Sequence, residues 1–162
     1  MNHVYFLTRL CLTGMNHYRC YRETQLIAQS TVPYSRTRYP VLIRAGDTEM
    51  TCLVDPEKTV FPGAENEVTL PDGTARVIYD GRGSHRLILG RYALRVREED
   101  SRYRFFLEGR LVAVMNPVPA AQRLADLEEG NWSPRLVLMA AEPLPERLAV
   151  LMLHFPLLQV AP

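Results

Sequence analysis

Apolar and polar positions alternate in short stretches over the first 115 residues, and turn chemistry interrupts them repeatedly. The interruptions are "TGMN" at 13, "ETQ" at 23, "AGDT" at 45, "PDG" at 71, "DGRGS" at 80, "EEDS" at 98 and "EG" at 108. Strands are predicted between them over 4–12, 17–22, 26–31, 39–44, 49–54, 74–79, 85–89, 91–97, 102–107 and 110–115. Each carries the β-branched and aromatic residues that suit a half-buried pleated surface. The segment 55–67 is predicted as the longest loop.

Beyond residue 115 the texture changes. "PVPAAQRLADLEEG" sets Pro119 near the start and Gly130 just past the end of a helix predicted over 119–129, the usual asymmetry of helix termini. "PRLVLMAAE" reads as one more strand. The last segment opens a helix at Pro145 and Glu146, runs apolar on every face, and is expected to stop at Pro156. A helix with no polar face must be enclosed. The expected fold is therefore mainly β: one domain over 1–162, an antiparallel barrel or strongly curved sheet of about 10–12 strands around a hydrophobic C-terminal helix.

Three phrases carry a family resemblance. "YRCYRETQLIAQS" and "YRFFLEGRLVAVM" each place an aromatic strand, a tight turn and an aliphatic strand in succession, and "LVLMAAEPLPERLAVLMLHF" joins a last strand to an apolar helix. In this order the chain resembles the tubby C-terminal, LURP-one and phospholipid-scramblase superfamily over nearly its whole length. The resemblance implies a β-barrel threaded by its C-terminal helix. Some members of that superfamily bind phosphoinositides or other membrane lipids, so it also makes an anionic lipid a candidate partner. The helix predicted over 119–129 departs from the family pattern.

Charge narrows the partners. The net charge is +1, so no global field draws the chain to nucleic acid or to a membrane. Of 19 cationic residues only Lys58 is a lysine. Arginine is the better bidentate binder of phosphate and carboxylate, although a general preference for arginine codons would leave the same mark. Cys11, Cys20 and Cys52 show no paired spacing, which favours a reducing compartment over a disulfide framework. The N-terminal residues lack the features of a signal peptide. The longest apolar run, 148–158, is shorter than the ~20 residues that span a bilayer. A soluble, cytoplasmic protein is expected.

The segment 91–115 holds the one electrostatic anomaly. With Arg97 opposite Arg102 across a four-residue loop, Tyr92, Leu94, Val96, Tyr103, Phe105 and Leu107 share one face, the expected core. The other face then pairs Arg91 with Glu108, Ala93 with Phe106, Arg95 with Arg104, and Arg97 with Arg102. If the "EG" turn has two residues, Leu111, Ala113 and Met115 join that face. Like charges opposite one another destabilise a sheet. Either neighbouring carboxylates neutralise them while the arginine stems cover apolar surface, or Arg95, Arg97, Arg102 and Arg104 form an anion site for a phospholipid head group or an acidic protein surface. Residues 76–110 hold nine arginines against five carboxylates.

Other chemistry is sparse. His17 and Cys20 form an H-x-x-C that, with Cys11 and Cys52, offers four zinc-ligand types, but on separate predicted strands; no metal or cofactor is expected. Cys20 with His17 is also the pair an enzyme would have to use, although strand cysteines are usually small core hydrophobes. His154, among leucines, is read as satisfied or solvent-reaching, and "DGRGS" as a hairpin turn. Asp47, Asp55, Asp72, Asp80 and Asp100 fall at predicted turns, where they are expected to cap their own backbone. Trp132 is read as an anchor for the linker before the last strand. No motif of a phosphate-binding loop, a serine hydrolase or a zinc protease occurs. The expectation is a non-enzymatic module for an anionic partner, with an oligomerising interaction domain as the alternative.

Overall fold

A computed structural model describes residues 1–118 and 132–160. The strands are β1 (His3–Leu12), β2 (Met15–Arg22), β3 (Gln25–Pro33), β4 (Tyr39–Ala45), β5 (Thr48–Val54), β6 (Glu65–Leu70), β7 (Gly73–Gly81), β8 (Ser84–Leu89), β9 (Tyr92–Glu99), β10 (Arg102–Leu107), β11 (Arg110–Pro117) and β12 (Ser133–Ala140), followed by helix α1 (Glu146–Leu158). Each strand pairs antiparallel with its neighbour in sequence, and β12 closes on β1 to give a barrel without free edges. The fold expectation holds, at the upper end of the strand count. The helix expected over 119–129 lies outside the described residues.

α1 occupies the barrel's interior. Twelve strands enclose more space than their own side chains fill, and a 13-residue helix, about 20 Å long, takes that volume. It enters at the end where the β6–β7 turn lies and leaves at the end of the β1–β2 turn, here the near and far ends. Leu148 through Phe155 are buried without a break, as is Leu158. They meet inward residues from around the barrel, including Leu7, Val41, Ile43, Met50, Val77, Leu87, Phe105, Met115 and Leu138. Phe155 is ringed edge-on by His85, Tyr103 and Phe105 at centroid distances of 5.3, 5.6 and 6.3 Å.

The helix does not stop at Pro156. Proline's missing N–H falls in the last turn and costs one bond there, while the Gln159 N–H donates to Phe155 O at 3.0 Å and closes the turn. The strand missed within 55–70 is β6, whose core position Asn66 disguised the alternation. Asn66 Nδ2 donates to Leu158 O at 2.8 Å, satisfying a carbonyl that the helix end leaves open. At the near end the Leu144 N–H donates to the Tyr5 hydroxyl at 3.2 Å, and Arg147 pairs with Asp72 at 2.8 Å.

The Phe155→Ala variant should lose about 3–5 kcal/mol in urea unfolding, the usual cost of emptying an aromatic site in a core. Leu157→Ala, at a half-buried position of the same turn, should lose clearly less.

Candidate functional site

The arginine face is real, but its pairing is shifted by two residues from the expected one. Arg97 faces Arg104, Arg102 faces Glu99, and Arg95 faces Phe106. The cause is the turn. Glu98 and Glu99 remain in β9, and only Asp100 and Ser101 form the loop, with φ of 53° and 63°. Two successive left-handed residues make the tight turn whose twist matches paired strands, and these two adopt it without glycine. A shift of two preserves which side chains share a face, so Leu94, Val96, Tyr103 and Phe105 are core as expected. The expected pair of Arg91 with Glu108 is not formed. Glu108 lies in the next turn at φ 51°, and Arg91 instead contacts Tyr92.

The third strand departs from expectation. The Glu108–Gly109 turn has two residues, with Leu107 opposite Arg110, but the register slips between Phe105 and Phe106 because Val112 is an extra residue on β11. That bulge reverses the parity beyond it. Ala113 and Met115 therefore lie in the core and not beside the arginines, and only Leu111 remains outside.

A fifth arginine joins the face, since Arg86 on β8 is directly opposite Arg95. Asp80, the bulge residue of β7, binds the Arg86 guanidinium through two oxygens at 2.8 and 2.9 Å. Glu99 lies 3.7 Å from Arg104, with both side chains more than half exposed. Arg95, Arg97 and Arg102 are exposed and form no ion pair with any described residue. Adjacent strands stand about 4.8 Å apart, so neighbouring cations fall within a Debye length of about 8 Å at physiological salt. Their fields add.

The residues proposed for metal or nucleophilic chemistry are not brought together. Three positions apart on one strand, His17 and Cys20 face opposite sides of the sheet. Cys11 is exposed, Cys20 and Cys52 are buried, and no group of three or more His, Cys, Asp or Glu among the described residues is placed to hold a metal. The partner of Cys20 is His154, whose Nδ1 is 3.8 Å from Sγ.

His154 is the centre of a closed polar cluster. Its Nδ1 is 2.8 Å from Val150 O, and because a carbonyl only accepts, Nδ1 carries the proton. Nε2 is then an acceptor, and the Ser30 hydroxyl donates to it at 2.6 Å. Burial drives the His154 pKa down to about 4, opposed by the Val150 carbonyl. Burial also pushes the Cys20 thiol well above its ordinary value and that of Cys52 up to about 11. At neutral pH the cluster holds no thiolate and no imidazolium. It ties α1 to β3. The second buried histidine, His85, also has its pKa lowered by burial, with Asp80 acting the other way.

Among the turn aspartates, Asp55 caps its own loop by accepting from the Glu57 N–H at 3.0 Å. Asp72 and Asp80 instead hold arginines, Arg147 and Arg86. Trp132 carries the Arg19 guanidinium 4.1 Å above its ring. No family model, no curated protein and no solved structure matches the chain.

Two outcomes follow from the interior. The folded state binds fewer protons than the unfolded chain between pH 6.5 and about 4, so stability falls as pH drops through that window, by roughly 3 kcal/mol from His154; urea midpoints at pH 7.5 and 4.5 measure it, and Ser30→Ala should lower the midpoint at both. In native protein iodoacetamide should alkylate Cys11 alone, with Cys20 and Cys52 modified only after denaturant is added, as intact mass reports.

Proposed function

We propose that the protein is a non-enzymatic binding module whose outer β8–β10 face docks on anionic phospholipid head groups through Arg95, Arg97, Arg102 and Arg104. The observation that carries the reading is the pair of like-charged cross-strand positions, Arg86 opposite Arg95 and Arg97 opposite Arg104, on a face with three arginines that form no ion pair with a described residue. Like charges opposite one another cost up to about 1 kcal/mol; Asp80 and Glu99 offset part of this at Arg86 and Arg104, and an anionic partner would offset the rest. Guanidinium groups suit phosphate because they bind two of its oxygens at once. The order of strands and helix, similar to that of the tubby and LURP-one barrels, supports a lipid in particular, and a cytoplasmic protein would meet it on an inner leaflet.

One observation favours a different reading. Pro40 and Leu53 are opposed on the outer face of β4 and β5, and Leu53 and the nearby Leu42 are exposed. This apolar patch would suit self-association without a small ligand.

Co-sedimentation with neutral and with anionic liposomes, at low and physiological salt, tests the first reading. Wild-type protein should pellet only with anionic liposomes, and Arg97→Ala/Arg104→Ala should pellet at least tenfold less while unfolding at the same or slightly higher temperature. Absence of pelleting at every salt concentration would sink it; a mass that doubles with concentration in light scattering would favour the second.

A further inference from the structure

Thr8, Arg9 and Arg19 each carry a buried polar atom without a partner, on two adjoining cross-strand pairs, and because side chains alternate along a strand Thr8 with Arg19 face out of the barrel while Arg9 with Tyr18 face in. Arg19 is engaged by the Trp132 ring. Arg9 has no such partner. Its Nε is buried and unbonded, its guanidinium lies against the Tyr18 hydroxyl, and it forms no ion pair with a described residue. A guanidinium partly removed from water without an anion is costly, and such a group calls for an explanation.

Around it stand further donors, and no carboxylate among the described residues pairs with Arg9 or Arg135. β1 and β12 slip in register between Leu7 and Thr8, which leaves Arg135 as an extra residue opposite no partner on β1. Bulges of this kind re-aim a side chain, and the Arg135 charge, like that of Arg9, acts on the Tyr18 hydroxyl. Arg135 is exposed and forms no ion pair with a described residue. Two positions along the same face, Asn16 accepts from the Tyr34 hydroxyl at 2.9 Å through Oδ1, which leaves its amide N–H groups to donate.

We propose that Arg9, Tyr18 and Arg135, at the far rim of the barrel, bind a single phosphate-type oxyanion, at a site separate from the arginine face. Three donors from three strands match a tetrahedral group with three free oxygens better than a planar carboxylate, which offers two. Arg9 and Tyr18 form the inner, walled side and exposed Arg135 the solvent side, so the anion arrives through the far mouth of the barrel.

The experiment is thermal unfolding and calorimetric titration of the whole chain with inorganic phosphate against potassium chloride at equal ionic strength. Wild type should gain stability saturably with phosphate beyond the chloride control. Arg135→Gln, at an exposed position that should fold normally, should bind phosphate at least tenfold more weakly, as should Arg9→Gln. Arg97→Ala/Arg104→Ala should bind it like wild type, which separates this site from the liposome reading. No phosphate effect beyond chloride, or an unchanged affinity in Arg135→Gln, overturns the proposal. Vesicles containing phosphatidic acid, added to the Arg97→Ala/Arg104→Ala protein, identify the source. Competition with inorganic phosphate supports the site with a lipid phosphate as its occupant, and saturable phosphate binding without competition supports it with a soluble one.

Discussion

Filling the cylinder is the constraint on which everything else depends. A closed sheet of twelve strands surrounds a space wider than its inward side chains can reach across, and an empty apolar space of that size forfeits the contacts of every group lining it. α1 removes that deficit, and it can do so only by being apolar around its full circumference. The same condition explains the strand sequences. Inward positions such as Val41, Ile43, Val77 and Leu87 are aliphatic and fully buried, while outward positions are free to carry the chain's arginines.

Apolar contact is non-directional and would let such a helix slide or turn within its sleeve. Three polar ties prevent this. Tyr5 holds the approach to α1, Ser30 holds His154 partway along it, and Asn66 holds the carbonyl at its end. Each is a neutral hydrogen bond at a different height and on a different strand, so together they define one axial position and one rotation. Using histidine for the middle tie makes that definition dependent on protonation, because the imidazole can accept from Ser30 only while it is neutral.

Much of this was legible along the chain. Turn residues at 13, 45, 71, 80 and 108 mark real hairpins, and the all-apolar stretch before Pro156 foretold an enclosed helix. β6 was hidden by Asn66, a polar residue in a core position whose purpose is visible only once Leu158 is beside it. The arginine pairing slipped because Ser101, following Asp100, takes a left-handed turn position that usually falls to glycine. Val112 has no sequence mark of a bulge. The rim of Arg9, Tyr18 and Arg135 escaped for another reason: its third member stands more than a hundred positions from the other two, joined to them only by closure of β12 on β1.

The order of elements bears on how the molecule is made. All twelve strands precede α1 in the chain, so on the ribosome the sheet emerges before the piece that fills it. Until α1 follows, a closed barrel would enclose unfilled apolar space, and an unclosed one would display β1 as an open edge with a hydrophobic face, a surface prone to association with other chains. Assembly is thus governed by a segment translated only after the whole sheet, and the nascent sheet is the form for which a chaperone would matter most.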